Sequence, residues 1–241
     1  MTAPWLEEAV SVFGSREPPS FPRKIAEDIL LRLRITIVPQ PHPTPDSMSQ
    51  WLVQRKYPCQ ASAFPETVHG CMVWIGKVGI LFHDSAEDPA EQRFTLAHEA
   101  SHFVLDHLLP RRRAMEVFGQ SILEVLDGKR GPTPEESMTA LFERVSLKPS
   151  NLIRRSESGH YTHGAVVESE RRADQLALEL LAPAALARPL LEGASETAAA
   201  ERVLLRFGLP VHVARAYVAS LRRRLRKPRF SSQDFFGFDG G

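Results

Sequence analysis

Five consecutive residues of this 241-residue chain have the types and spacing of a metal-dependent hydrolytic centre: His98-Glu99-Ala100-Ser101-His102. On an α-helix, positions 98 and 102 project from one face one turn apart, so two imidazoles can converge on a single Zn²⁺ at about 2.0–2.1 Å. Glu99, one residue after the first imidazole, then stands beside the metal and can take a proton from its water. The bland reading is two histidines on an amphipathic helix, satisfied by core hydrogen bonds. Chance would produce the pattern only about 0.03 times in a chain of this composition. The surroundings also favour the metal. Asp88-Pro89-Ala90-Glu91 is a strong helix start, with Asp88 as cap, Pro89 in the first turn and Glu91 able to reach back. Phe94, Ala97, Val104 and Leu105 supply the apolar flanks.

Two imidazoles do not complete a catalytic zinc site, which needs a third protein ligand and an open position. A third histidine at 108 is absent, because Leu108 stands there, and His107 points about 100° away on the helix. The missing ligand must come from another element. Between Val166 and Leu181, the residues Glu170, Ala173, Asp174, Ala177 and Leu181 share one helical face, and the two alanines permit close approach to a second helix. Glu170 can supply the carboxylate there. Asp174, one turn on, can hold a ligand histidine through its other ring nitrogen. On the chemistry alone Glu168 and Glu179 remain alternatives, and the bland reading of Glu170 is a solvated ion pair with Arg171 or Arg172.

The elements that position these residues are legible in outline. Residues 1–20 read as a loosely attached lead-in. Ile25, Ile29, Leu30 and Leu33 recur at helical spacing, and the β-branched run Ile35-Thr36-Ile37-Val38 reads as a strand ending at Pro39. Met72 to Ile75 and Val78 to Phe82 flank Gly76-Lys77, which suits a type II′ hairpin. The zinc helix should run to about Leu108 and halt before Pro110. Ala114 to Leu126 is helix-like, Thr133-Pro134-Glu135-Glu136 opens another helix, and Arg154 to Gly164 reads as an exposed loop. Glu196 to Arg226 reads as two helices broken at Gly208-Leu209-Pro210, and 229–241 as a disordered tail.

Arg93 to His102 resembles the RFTLAHExxH signature of the ImmA/IrrE metallopeptidases. Glu170 to Pro183 resembles that family's second signature, E-x-x-A-[ND]-x-F-A-x-x-L-L-M-P, with Leu176 in place of Phe and Ala182 in place of Met. In that family the leading glutamate of the second signature completes the zinc site, so the resemblance implies His98, His102 and Glu170 as ligands and Glu99 as base. It implies an α+β fold: a mostly helical, zincin-like, gluzincin-type core over 21–190 with a small antiparallel sheet. A small helix-turn-helix-like segment over 191–228 would follow. His98 and Glu170 lie further apart in sequence than is usual there, so 109–165 reads as an insertion.

The expected activity is that of a zinc endopeptidase, in which the metal polarises the scissile carbonyl and Glu99 passes a proton to the leaving amine. Mn²⁺ or Fe²⁺ can also occupy a site of two histidines and one carboxylate. The strand Val78 to Phe82 could pair with an extended substrate. His160, Tyr161 and His163 are candidate oxyanion donors, with surface-loop residues as the bland reading. By resemblance the substrate would be a helix-turn-helix repressor of a stress-response or mobile-element circuit. The rival class is a non-hydrolytic, metal-stabilised scaffold or DNA-associated regulator that sequesters a partner. An intact Glu99 favours the enzyme, since a structural site needs no base.

Thirty Lys+Arg against 29 Asp+Glu leave a net charge of +1, so overall charge names no partner. Arg222, Arg223, Arg224, Arg226, Lys227 and Arg229 form a local basic run that fits weak phosphate contact or a solvated helix end. His212, Ala214, Arg215 and Ala216 offer little for reading bases. Cys59 and Cys71 make neither a disulfide scaffold nor a four-cysteine zinc site. With no signal peptide and no spanning segment read, a soluble cytoplasmic protein is expected.

Overall fold

The computed structural model describes residues 3–14, 20–57, 69–75, 78–147 and 165–225. The chain is mostly helical around a small three-stranded mixed sheet. Helix α1 (Pro4–Val12) buries Leu6, Ala9 and Val10, and Phe13 follows them into the main core. The expected loose lead-in is therefore part of the core from its first turn. Helix α2 (Ile25–Arg32) buries Ile25 and Ile29 one turn apart and hands over through extended Leu33 to β1 (Ile35–Gln40). Helix α3 (Pro45–Gln54) is opened by a Thr44–Ser47 capping box and buries Met48 and Leu52.

Strands β2 (Gly70–Ile75) and β3 (Val78–Asp84) pair antiparallel, with Gly70 opposite His83 and Ile75 opposite Val78. The turn residues Gly76 and Lys77 lie outside the described residues. Strand β1 pairs with β3 in parallel, Ile35 opposite Gly79, so the order is β1-β3-β2 and the expected purely antiparallel sheet is corrected to a mixed one. The chain leaves β1 through α3 on one face of the sheet and returns by the hairpin, which sets β1 and β3 in the same direction. Strand β3 is central and paired on both edges, so it cannot receive a substrate strand as expected. Among the described strands, β2 is the outer one beside α4. Val38, Val73, Ile80 and Phe82 pack under α3, while Ile35, Met72 and Leu81 join the main core on the opposite face.

That opposite face is covered by α4 (Pro89–His102). Asp88 caps it by accepting from the Ala90 and Glu91 N–H groups, with Pro89 in the first turn. Glu91 does not reach back as expected and faces His212 Nδ1 at 3.3 Å. Nor does the helical path end before Pro110. It continues as a π-helical turn over Phe103–Leu108, in which Leu109 N–H bonds Val104 O, and then as α5 (Leu109–Phe118). A proline ring inside an α-helix clashes with the carbonyl four residues back. The wider π turn relieves that conflict and lets Pro110 sit in the first turn of α5. Gly119, at φ +76°, breaks the expected Ala114–Leu126 helix into α5 and the short α6 (Leu123–Leu126). Helix α7 (Pro134–Glu143) starts with the Thr133–Glu136 capping box read in the sequence. Ala114, Ile122, Val125, Leu126 and Val145 form a small cluster of their own.

Helix α8 (Ala165–Leu181) lies against α4; Leu176, Ala177 and Leu180 share the main core with Ala97 and Ala100, and Ala173 is fully buried. After the one-turn α9 (Ala184–Ala187), α10 (Glu196–Phe207) and α11 (Val211–Leu225) pack together around Gly208. Gly208 caps α10 at φ +64°, and its carbonyl accepts a 2.6 Å bond from Arg93 Nη1 of α4. The expected loop at 154–164 and the tail at 229–241 lie outside the described residues. No helix among the described residues is long and apolar enough to cross a membrane.

A Cβ on Gly208 would fall 2.7 Å from both Arg93 Nη1 and Pro22 Cγ, in a backbone conformation that L side chains rarely adopt. Gly208→Ala should therefore lower the stability measured by urea unfolding by more than about 1 kcal/mol. An unchanged midpoint would show that this corner is not docked on α4.

Candidate metal centre

Helix periodicity brings His98 and His102 to the face of α4 that looks onto α8, and the alanine contact sets α8 close enough for Glu170 to meet them. The donor atoms form a nearly regular triangle. His98 Nε2 and His102 Nε2 are 3.2 Å apart, and Glu170 Oε2 lies 3.3 Å from the first and 3.5 Å from the second. A tetrahedral ion bound at about 2.0–2.1 Å separates its ligands by about 3.3–3.4 Å. The three residues thus have the spacing of a shared ion, and they are the group of potential ligands that the described residues bring together. Glu170 is half exposed, so the triangle opens towards solvent.

Both rings are held from behind. His98 Nδ1–H donates to Asp174 Oδ1 at 2.9 Å, the partner read in the sequence. His102 Nδ1–H donates to Asp106 Oδ2 at 2.8 Å. Each bond leaves the Nε2 lone pair directed at the triangle. Asp106 escaped the sequence reading, although a carboxylate four residues after His102 was a usable signal. Ser101 is fully buried and satisfied by its own helix, donating to Ala97 O at 2.7 Å.

The alternative carboxylates point elsewhere. Glu168 accepts two bonds from Arg171 on the exposed side of α8, and Glu179 accepts from Ala184 N–H at the start of α9. His107 lies between the Trp74 and Phe103 rings, away from the triangle. His160, Tyr161 and His163 lie outside the described residues.

No family model, no curated protein and no solved structure matches the chain.

Glu99 sits where α4 passes under β2. Its carboxylate accepts from Met72 N–H, yet burial dominates and pushes its pKa above the ordinary value, with the nearby Glu170 charge acting in the same direction. The strand comes this close because residue 70 has no side chain. A Cβ there would fall 2.4 Å from Thr95 Cγ2 and 3.0 Å from Glu99 Cγ. In the other three groups the partners outweigh burial and favour the charged form. Burial opposes protonation of His98, but hydrogen bonds to Asp174 and Glu170 and the Glu99 charge outweigh it and raise its pKa to about 9. His102 behaves alike, with Asp106 and Glu170 outweighing burial and taking it to about 10. Hydrogen bonds from His102 and His98 hold Glu170 well below the usual carboxylate range despite burial.

Two outcomes follow from this arrangement. In the metal-free protein the raised histidines stabilise the fold fully below their ordinary pKa near 6.5, and that contribution disappears as pH rises through about 9 to 10. Zinc must displace those protons, so its apparent affinity should climb at least tenfold per pH unit between about pH 6.5 and 8.5. A flat profile in chelator-competition titrations would contradict the donor set. Separately, Gly70→Ala should displace Glu99 while sparing the triangle. Turnover should fall about tenfold or more with zinc stoichiometry unchanged, and equal turnover would show that β2 does not position the base.

Proposed function

We propose that this chain is a zinc-dependent endopeptidase with His98, His102 and Glu170 as ligands and Glu99 as general acid–base. The observation that carries the reading is Glu170 Oε2 at 3.3 and 3.5 Å from two rings it is separated from by some seventy residues of chain. Three protein donors with a side open to solvent suit catalysis better than a closed structural site. Two histidines and one carboxylate suit Zn²⁺, and Mn²⁺ or Fe²⁺ can occupy the same donor set. When bound, Zn²⁺ supplies a Lewis acid that polarises the scissile carbonyl and makes water more acidic.

The chain's own groups do the rest. Half-buried Glu99, with a raised proton affinity, takes a proton from water and delivers it to the leaving amine. The likeness of Arg93–His102 and Glu170–Pro183 to the ImmA/IrrE signatures supports a zincin-like core. It also extends the proposal to a helix-turn-helix repressor as substrate and to a helix-turn-helix-like role for α10 and α11. Direct contact with nucleic acid would be weak. Arg222 donates to Ala194 O, which leaves Arg223 and Arg224 as exposed cations in the last turn of α11.

The test is to load the purified protein with zinc and incubate it with the repressor encoded beside its gene. Cleavage should occur with zinc and stop with a chelator. Glu99→Gln should bind zinc normally and lose about 10²-fold or more of the rate. A repressor left whole by fully zinc-loaded protein would replace the enzyme by the sequestering scaffold.

A further inference from the structure

We propose that Asp106 is a positioning residue that both orients His102 for the metal and fastens the stretch of α8 that carries Glu170. This rests on the metal reading of the site. One oxygen carries both contacts: Asp106 Oδ2 lies 2.8 Å from His102 Nδ1 and accepts a 2.9 Å bond from Ser169 Oγ. Ser169 immediately precedes Glu170.

A neutral imidazole binds a metal through one nitrogen only when the proton sits on the other, and a carboxylate behind the ring fixes both that tautomer and the ring's rotation. For His98 the carboxylate comes from the facing helix, so a single bond to Asp174 aligns the ring and ties α4 to α8. For His102 it comes from the π-helical turn that continues its own helix. That contact alone would orient the ring without relating it to Glu170. Ser169 closes the gap by reaching the same oxygen from α8. The two ligand helices are thus joined by two tethers, Asp174 to His98 and Ser169 through Asp106 to His102. Between them they fix three donor atoms contributed by two segments of chain. Asp106 is one-third exposed and His102 one-seventh, so the tether lies at the rim of the core, where replacing it removes no apolar packing.

The experiment measures the zinc dissociation constant by competition with a chromogenic chelator. It compares the wild type with Asp106→Ala, Asp106→Asn, Ser169→Ala and the double variant Asp106→Ala/Ser169→Ala, and records metal-free melting for each. Asp106→Ala should weaken zinc binding by about 10–100-fold, while the metal-free protein loses the stability its ion pair with His102 contributes and still melts cooperatively. Asp106→Asn, which keeps an acceptor oxygen, should recover part of that loss. Ser169→Ala should have a smaller effect that vanishes in the Asp106→Ala background, because the serine acts through the aspartate. Unchanged affinity in Asp106→Ala, or losses that simply add in the double variant, would overturn the proposal while leaving the metal site standing. Failure of the wild type to bind zinc would remove both. Should Asp106→Ala not fold, Asp106→Asn and Ser169→Ala decide the question alone.

Discussion

Contact between α4 and α8 is the constraint on which everything else depends. Four alanines, Ala97 and Ala100 on one helix and Ala173 and Ala177 on the other, are all but absent from the surface. Small side chains at such a seam let two backbones come close, and the reach of a glutamate is then enough to bring its oxygen between two imidazoles on the opposite helix. The rest of the core serves that seam. The sheet supports α4 from one side, α1 presses on α8 with Arg172 lying over the Trp5 ring, and Arg93 pins the α10–α11 corner to the start of α4. Larger residues at the seam would hold the helices apart and separate the donors, since close-packed interiors do not absorb added volume without shifting.

Electrostatics at the seam is set by an excess of carboxylates. Glu99, Glu170, Asp174 and Asp106 surround two imidazoles, so carboxylates outnumber the bases that could neutralise them. In the metal-free protein the rings respond by holding their protons into alkaline pH. The field that retains a proton on each ring is also one that would favour a divalent cation between them, because both ions answer the same excess of negative charge. Glu99 stands apart from the other three, with its pKa governed by burial more than by its partners. One carboxylate is kept poorly solvated beside three that are well satisfied, a separation of environments that the proposed base needs.

What the sequence made legible follows from the range of the forces involved. His98, Glu99 and His102 needed only the helical repeat, and the caps at Asp88 and Thr133 only a few neighbouring residues. Glu170 required knowing which helix faces α4. Chemistry left Glu168 and Glu179 open until a family resemblance singled out Glu170, and the packing of α8 then turned the other two towards Arg171 and α9. The direction of β1 was illegible because parallel pairing is a long-range choice with no local signature. Helix α1 was read as loose because its proline-rich neighbourhood outweighed the burial of Leu6, Ala9, Val10 and Phe13, which only the tertiary structure supplies. Helix α3 was a plain omission, since Thr44-Pro45-Asp46-Ser47 carries a capping signal.

The π-helical turn shows why the expected stop at Pro110 was wrong in an instructive way. Proline does forbid an ordinary α-helix at that point, and the backbone answers with one wider turn instead of an end. Inserting a residue into the helical repeat rotates everything downstream by about 100°. Upstream of the turn Leu96, Ala97 and Ala100, and within it Phe103, Val104 and Leu105, belong to the main core. Downstream, Ala114 belongs to the separate cluster it forms with Ile122, Val125 and Leu126. The same turn carries Asp106 at the rim of the site and buries His107 beneath Trp74. A single adjustment of backbone hydrogen bonding thus lets one continuous helical path supply the two histidines proposed as metal ligands, place a carboxylate behind the second of them, and then turn its apolar face away to build an independent small core.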